Sequence, residues 1–372
     1  MIEKGKINPR QFSILTLLFS LGSSILIVPS ALASFARQDG WLSAVLGVAV
    51  GTLLLAFYRA LAARHPDQSL VEYTQALLGT WLGKLAGFLF FLYFFILSAL
   101  VLRNVGDFLT TIVMPETPIQ VVHCVMLGAI LIGVALGLEV IARAAEIFLP
   151  WVCALLVVLV VFLLPQIETS RIQPVFESGT KAVIHGSLSV LSIPYLEMVV
   201  FLMVFPYASK QQRAASAFIK GGLLGGFVII VITLLCIFVL GWDFTARHTF
   251  PSYTLAKKIQ IGEFLQRIEV LVAIIWFVTI FFKLGLTFYA ALLGLAQLLG
   301  LSTYRPLIVP CGMVLLMMSV IVYPNIVYFR HFASQTWPLY ALTMGFVLPL
   351  LIWSVSLFRS PAGTASENRP PV

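Results

Sequence analysis

Between Gln11 and Phe358 the chain is a succession of apolar runs, each about the 20 residues a helix needs to cross the hydrocarbon core of a bilayer. Charges, prolines and turn-forming clusters divide them into ten segments, approximately 11–35, 41–63, 82–113, 118–138, 139–164, 185–207, 217–242, 264–299, 306–323 and 337–358. The division between the fourth and fifth rests on very few residues. A composition of 60% hydrophobic and 10% charged residues over 372 positions leaves too little charge to cover a water-soluble surface. These features predict an all-α polytopic membrane protein, one transporter-like domain spanning residues 1–372. Lys4, Lys6 and Arg10 precede an apolar run too long for a signal peptide and without a small-residue cleavage site, so the first segment is expected to stay as a helix.

The net charge of +8 is scattered over segment ends, which fits a lipid boundary and gives no footprint for nucleic acid. With the N-terminus in the cytoplasm, the inner loops collect most of the Lys and Arg, so both termini are expected to be cytoplasmic. Cys124, Cys153, Cys236 and Cys311 lie in apolar segments without metal-ligand spacing and read as small buried hydrophobes. The five histidines are isolated from one another, and HExxH, GxSxG and GxxxxGK[ST] are all missing. The sequence therefore offers no catalytic apparatus, metal or cofactor.

Two segments carry interruptions at corresponding places. The first reads LGSSILIVPS at 21–30, with Gly22, Ser23, Ser24 and Pro29; the sixth reads SIPYLEMVVF at 192–201, with Ser192, Pro194 and Glu197. If the ten segments divide five and five, into halves of about 7–164 and 185–358 followed by a polar tail at 359–372, these are equivalent helices. Paired broken helices mark the midplane binding site of an inverted-repeat transporter fold, here LeuT-like with helices 1 and 6 broken. Lipid cannot hydrogen-bond an unwound backbone, so a break survives where it lines a cavity or faces a ligand. Its free N–H groups suit a carboxylate and its free carbonyls an ammonium. A proline kink repaired by a neighbouring serine is the ordinary alternative for either segment alone.

An acid near the bilayer centre costs about 2.5–3.5 kcal/mol on insertion scales, so Glu197 is expected to face the interior as a titrating or ion-coupling group. Glu197→Gln should then keep normal abundance. Lys283, in FFKLGLTFYAAL, is the second candidate for proton or ion coupling, with snorkelling toward the inner interface as its alternative. The expected ligand-binding wall comprises Gly22, Ser23 and Ser24 on one side and Ser192, Pro194, Tyr195 and Glu197 on the other. Ser98 and Val101 in the third segment and Thr287 in the eighth close its sides. Gly47 reads as a packing glycine whose replacement by Val spares ligand sensing. Arg103 and Asp107, four residues apart, suggest a local ion pair near the outer interface, and Glu139, Arg143 and Glu146 a solvated corner.

QDGWLS at 38–43 and HPDQSLVEYTQALLGTWLGK at 65–84 closely resemble the B subunits of nutrient germinant receptors of bacterial endospores, the GerAB-type spore germination permeases. LEMVVFLMVFP, with Glu197, Pro206 and then Lys210, is similar to that family's sixth segment, and RIEVLVAIIW at 267–276 to the start of its eighth. The likeness covers about 7–358, carried by the order and spacing of the motifs. Asp67-Gln68 stands where a basic, glycine-containing turn is more usual, and RIE replaces the more typical Glu-Arg order. The resemblance implies membership of the amino acid, polyamine and organocation transporter superfamily. It further implies a sensor in the spore inner membrane that binds a small nutrient, commonly an amino acid, beside an A subunit and a C-subunit lipoprotein. A proton-coupled amino acid permease and a scaffold whose breaks merely bend helices are the alternatives.

Overall fold

The computed structural model describes residues 3, 5–258 and 269–358. The polar tail at 359–372 and the start of RIEVLVAIIW lie outside the described residues. Helices make up almost all of the described chain; one short parallel bridge joins Ile7 to Ala208.

Among the described residues, eight helical stretches are long and apolar enough to span a membrane, and Arg305–Ile321 is a shorter apolar helix. One of the eight, Ser24–Arg64, contains two crossings, so the ten expected segments are all present. The first is split into α1 (Pro9–Leu21) and α2 (Ser24–Ala36). The chain then turns back through Arg37, whose φ is +50°, into α3 (Gly40–Arg64). Gly40 makes that turn tight, since a Cβ there would lie 3.3 Å from the Leu32 carbonyl carbon. Asp39 ties the turn to a distant loop, its carboxylate accepting from the Phe176 (2.6 Å) and Ser178 (3.0 Å) backbone N–H groups. The QDG motif is therefore a structural clamp.

α4 (Leu70–Leu78) begins with a capping box: the Ser69 N–H donates to Glu72 Oε2 at 2.8 Å, and the Glu72 N–H to Ser69 Oγ at 3.3 Å. Gly79, at φ +83°, turns the chain into α5 (Thr80–Phe108). α6 (Ile119–Leu136) and α7 (Leu138–Leu163) meet at Gly137, φ +98°, which places the fourth-to-fifth division where the sequence put it. α8 (Gly179–Val190) starts the sixth segment and α9 (Gln211–Leu235) forms most of the seventh. α10 (Trp242–Arg247) and α11 (Pro251–Lys257) occupy the long loop before α12 (Glu269–Leu299). α13 (Ile308–Ile321) is the ninth segment, and α14 (Ile326–His331), α15 (Trp337–Leu342) and α16 (Leu348–Phe358) make up the tenth.

Small residues set the close crossings. Along α9, Gly221 faces the Ser13 carbonyl, Gly222 the Leu55 side chain and Gly225 the Ser20 hydroxyl, so α1 and α3 both lie against the α9 backbone. Outward-facing Leu53, Val125, Trp151, Met317 and Leu339 form the apolar surface that lipid must cover. The protein is an integral membrane protein.

Ile7 pairs with Tyr207 and Ser209 at the end of the bundle that also holds Pro66 and Gln211; Thr249 belongs to the opposite end. In a cysteine-free background, single cysteines at Gln68 and Thr249 should be modified by an impermeant maleimide from opposite sides of the membrane. Modification of both from one side would contradict this arrangement.

Candidate functional site

The first break is two residues long. Gly22, at φ −24° and ψ −90°, closes α1 and Ser23 opens α2. The first-turn N–H groups of α2 and the last carbonyls of α1 lose their helical partners there. Gly22 is required by close approach: a Cβ would sit 2.6 Å from Lys283 Cδ and 2.9 Å from Lys283 Cβ, the side chain reaching across from α12.

The second break changes helix type instead of opening the chain. α8 passes into a π-helical turn, Leu191–Tyr195, and then a 3₁₀ stretch, Leu196–Met203. Pro194, lacking an N–H, sits inside the π turn. The Tyr58 hydroxyl on α3 reaches the carbonyls of Gly345 (2.5 Å) and Leu196 (3.3 Å), so polar backbone at the junction is met within the protein, as lipid requires.

Between the two breaks lies a buried ion pair. Lys283 Nζ is 2.5 Å from Glu197 Oε2, with side-chain exposures of 0% and 3%. Lys283 therefore turns inward and does not snorkel. The Trp337 indole N–H donates to Glu197 Oε1 at 3.1 Å, and the Lys283 ammonium lies 5.4 Å from the Phe19 ring centre, near the carbonyl end of α1. Apart from the ion pair itself, Lys283 Nζ, Glu197 Oε2 and Ser24 Oγ have no hydrogen-bond partner among the described residues. Buried polar atoms without partners call for a physical account.

A cavity of about 30 Å³ adjoins the pair, with Ser23, Leu100, Asn104, Glu197, Phe332 and Trp337 among its walls. It is separated from a recess of about 300 Å³ at the Thr249 end by side chains that border both, chiefly Ile27, Ile193 and Phe329. At the opposite end the way is closed by packed rings: Phe12 lies 4.8 Å from Phe205, and Phe218 lies 5.3 Å from Phe201.

Of the residues expected at the site, the structure brings together Gly22, Ser23, Glu197 and Lys283, and Ser24 is buried at the start of α2. Thr287 packs one turn further along α12, its hydroxyl bonded to the Lys283 and Leu284 carbonyls, both at 3.0 Å. Ser98 donates to the Phe94 carbonyl of its own helix at 2.8 Å, and Val101 is buried beside it while Leu100 and Asn104 reach the cavity. Ser192 borders an apolar groove with Leu53 and Pro338, and the Tyr195 hydroxyl donates to the Gly222 carbonyl at 3.1 Å between α3 and α9. Asn104, Phe329, Phe332 and Trp337 were not singled out by sequence, because amides and aromatic rings are ordinary in membrane helices. Arg103 and Asp107 form an ion pair at 3.0 Å, but it is buried: Tyr323 donates to Asp107 at 2.6 Å and Arg103 to the Val320 carbonyl at 2.7 Å.

A family model described as "Spore germination protein" matches residues 6–327. The chain belongs to the spore germination protein family. It is similar to spore germination protein KB of Bacillus subtilis (strain 168), 29% identical over 371 residues, covering 99% of each chain. Its fold is similar to that of Mhp1, a nucleobase-cation-symport-1 family transporter in a closed conformation with bromovinylhydantoin bound (TM-score 0.72, 13% identity, 95% of this chain and 79% of that one). MhsT in complex with L-phenylalanine gives 0.67 at 14% identity, over 93% of this chain and 97% of that one. The fold is LeuT-like, as the paired interruptions suggest.

Gly47 proves to be a poor comparison glycine, because a Cβ there would meet Val190 Cβ at 2.6 Å. Gly128 on α6 has open space around it and serves instead. Gly22→Val should destabilise the purified protein by about 1–3 kcal/mol through overpacking against Lys283. Gly128→Val should stay within about 0.5 kcal/mol. Denaturation of both variants in the same detergent checks this; equal losses would mean that Gly22 has no special contact.

Proposed function

We propose that this chain is the nutrient-recognising membrane subunit of a germinant receptor, and that a small zwitterion, an amino acid, binds by exchanging partners with Glu197 and Lys283. The observation that carries the reading is the buried ion pair between two broken helices. Each member of the pair is taken from water at a cost of several kcal/mol, so each needs a counter-charge at all times. A zwitterion brings both: its ammonium takes the Glu197 carboxylate, its carboxylate takes Lys283. The first-turn N–H groups of α2 and the hydroxyls of Ser23 and Ser24 receive the remaining carboxylate oxygen. Asn104 and Trp337 complete the walls, while Pro194 keeps the sixth helix interrupted. Ser98, Val101, Ser192, Tyr195 and Thr287 act behind this shell, fixing the helices that carry it.

Family membership supports placing the subunit in the inner membrane of the endospore, with an A subunit and a C-subunit lipoprotein as partners. The end holding Ile7 and Gln68 is the cytoplasmic one, with both chain termini on that side and the recess facing outward. The two halves, about 7–164 and 185–358, are the inverted repeats. Nutrient engagement of Glu197 shifts Trp337 and so signals germination, with gating of ion release as the readout. The same ion pair also supports a second reading, a proton-coupled amino acid permease in which Glu197 and Lys283 pass a proton between them. Uptake of labelled amino acid by vesicles containing this chain alone would favour the permease.

The pair changes what substitution should do. Glu197→Gln alone leaves the Lys283 ammonium buried without a counter-charge, at a cost of about 3–5 kcal/mol, so abundance is expected to fall. Glu197→Gln combined with Lys283→Met removes both charges and should restore abundance while abolishing the nutrient response. In spores carrying the wild-type receptor, the amide or N-acetyl form of an active amino acid should fail to trigger germination. A double variant that is abundant and still responds to nutrient would overturn the exchange, as would full activity of a singly charged analogue.

A further inference from the structure

Around one cavity near the Ile7 end of the bundle, three cations form no ion pair among the described residues. Arg59 on α3, and Arg213 and Lys220 on α9, border an open cavity of about 1150 Å³ together with Arg10, Ser13 and Phe205. Arg10 is already paired, with Glu146 at 3.8 Å. Arg59, Arg213 and Lys220 are exposed and form no ion pair among the described residues. Side-chain amides of Gln211 and Gln212 and the hydroxyls of Ser13 and Ser216 add neutral donors around the same space.

We infer that this cavity binds the phosphate-bearing headgroup of an anionic phospholipid. The charge and the donors call for a phosphate, and position selects the lipid as its source. One turn beyond Lys220, α9 presents Leu223, Leu224 and Phe227 outward, and α3 presents Val50 and Leu53 outward before Arg59. The cations thus stand where the lipid-covered apolar band ends, at headgroup level, so a phosphate held by them has acyl chains that continue along that band. Guanidinium groups offer paired N–H donors to phosphate oxygens and Lys220 a point charge, a set suited to a headgroup with one net negative charge. Ala62, Ala63, Ala215 and Ala217 line the floor, which leaves room for the headgroup between α3 and α9. Seated there, it would bridge two helices that both pack on α1 or its neighbours at the closed end of the molecule.

The test uses the full chain in detergent and native mass spectrometry, titrating phosphatidylglycerol or phosphatidylcholine. The wild-type protein should retain one phosphatidylglycerol at least about tenfold more tightly than phosphatidylcholine. Arg59→Gln/Arg213→Gln/Lys220→Gln should lose that preference. Lys6→Gln/Lys84→Gln/Arg305→Gln removes the same charge elsewhere and should keep it. The charge-preserving Arg59→Lys/Arg213→Lys variant should also keep it, which separates loss of binding from loss of fold. Inorganic phosphate at millimolar concentration should leave the retained lipid in place. Equal loss in both triple variants, equal retention of the two lipids, or full displacement by inorganic phosphate would overturn the proposal.

Discussion

A lysine ammonium and a glutamate carboxylate 2.5 Å apart, both sealed from solvent, set the terms for the middle of this molecule. Coulomb attraction in a low-dielectric interior barely offsets the desolvation of the two groups, so the pair persists only with further support around it. That support comes from three helices, α1, α12 and α15. The carbonyl end and the Phe19 ring of α1 face the ammonium; Gly22 gives the lysine stem room; α12 delivers Lys283; α15 supplies the Trp337 indole to the carboxylate. The break in the first helix follows from the same requirement. An unbroken first helix would present Cβ atoms and satisfied backbone at this point, with no room for the lysine and no helix end to meet its charge.

The spans, their number and the two interrupted helices were legible in the sequence because lipid punishes irregular backbone and buried charge more severely than water does. What sequence could not supply was direction. Lys283 has a stem long enough to snorkel or to reach Glu197, and only the position of α12 against Gly22 decides between them. Ser192 and Tyr195 sit within a few residues of Glu197, yet a π turn followed by a 3₁₀ stretch departs from 100° per residue and sends them to other faces. Sequence alone does not reveal that Arg103 and Asp107 are buried, because their third member, Tyr323, lies 216 residues from Asp107 along the chain. How tightly Gly47 packs is hidden from sequence for the same reason: its neighbour Val190 belongs to another segment.

Access to the ion pair is unequal from the two ends, because backbone bonds add to the packed rings at only one of them. At the Ile7 end, backbone bonds from Ile7 to Tyr207 (2.9 Å) and from Ser209 to Ile7 (2.8 Å) reinforce the packed phenylalanines. Opening there requires breaking bonds as well as moving rings. At the other end, Phe329 and its neighbours separate the recess from the inner cavity. The Phe329 ring is held 5.0 Å from Tyr323, which the buried Asp107 carboxylate fixes in turn. That polar cluster, unused by the ion pair, therefore acts as a bracket for the barrier.

The barrier and the ion pair share one piece of chain. Phe329 lies in α14, which ends at His331; a π-helical turn at Phe332–Thr336 follows, and Trp337 comes next. A π turn is a fault in hydrogen-bond register, where a helix bends or shifts at lower cost than in a regular stretch. Trp337 also stacks on Tyr93 of α5, their planes 10° apart, so the residue that bonds Glu197 touches α5 as well as the tenth segment. A group that takes the Glu197 carboxylate competes with the Trp337 indole for it. The same residue that completes the charge cluster thereby connects it through one π-helical turn to the side chains that bar the way in.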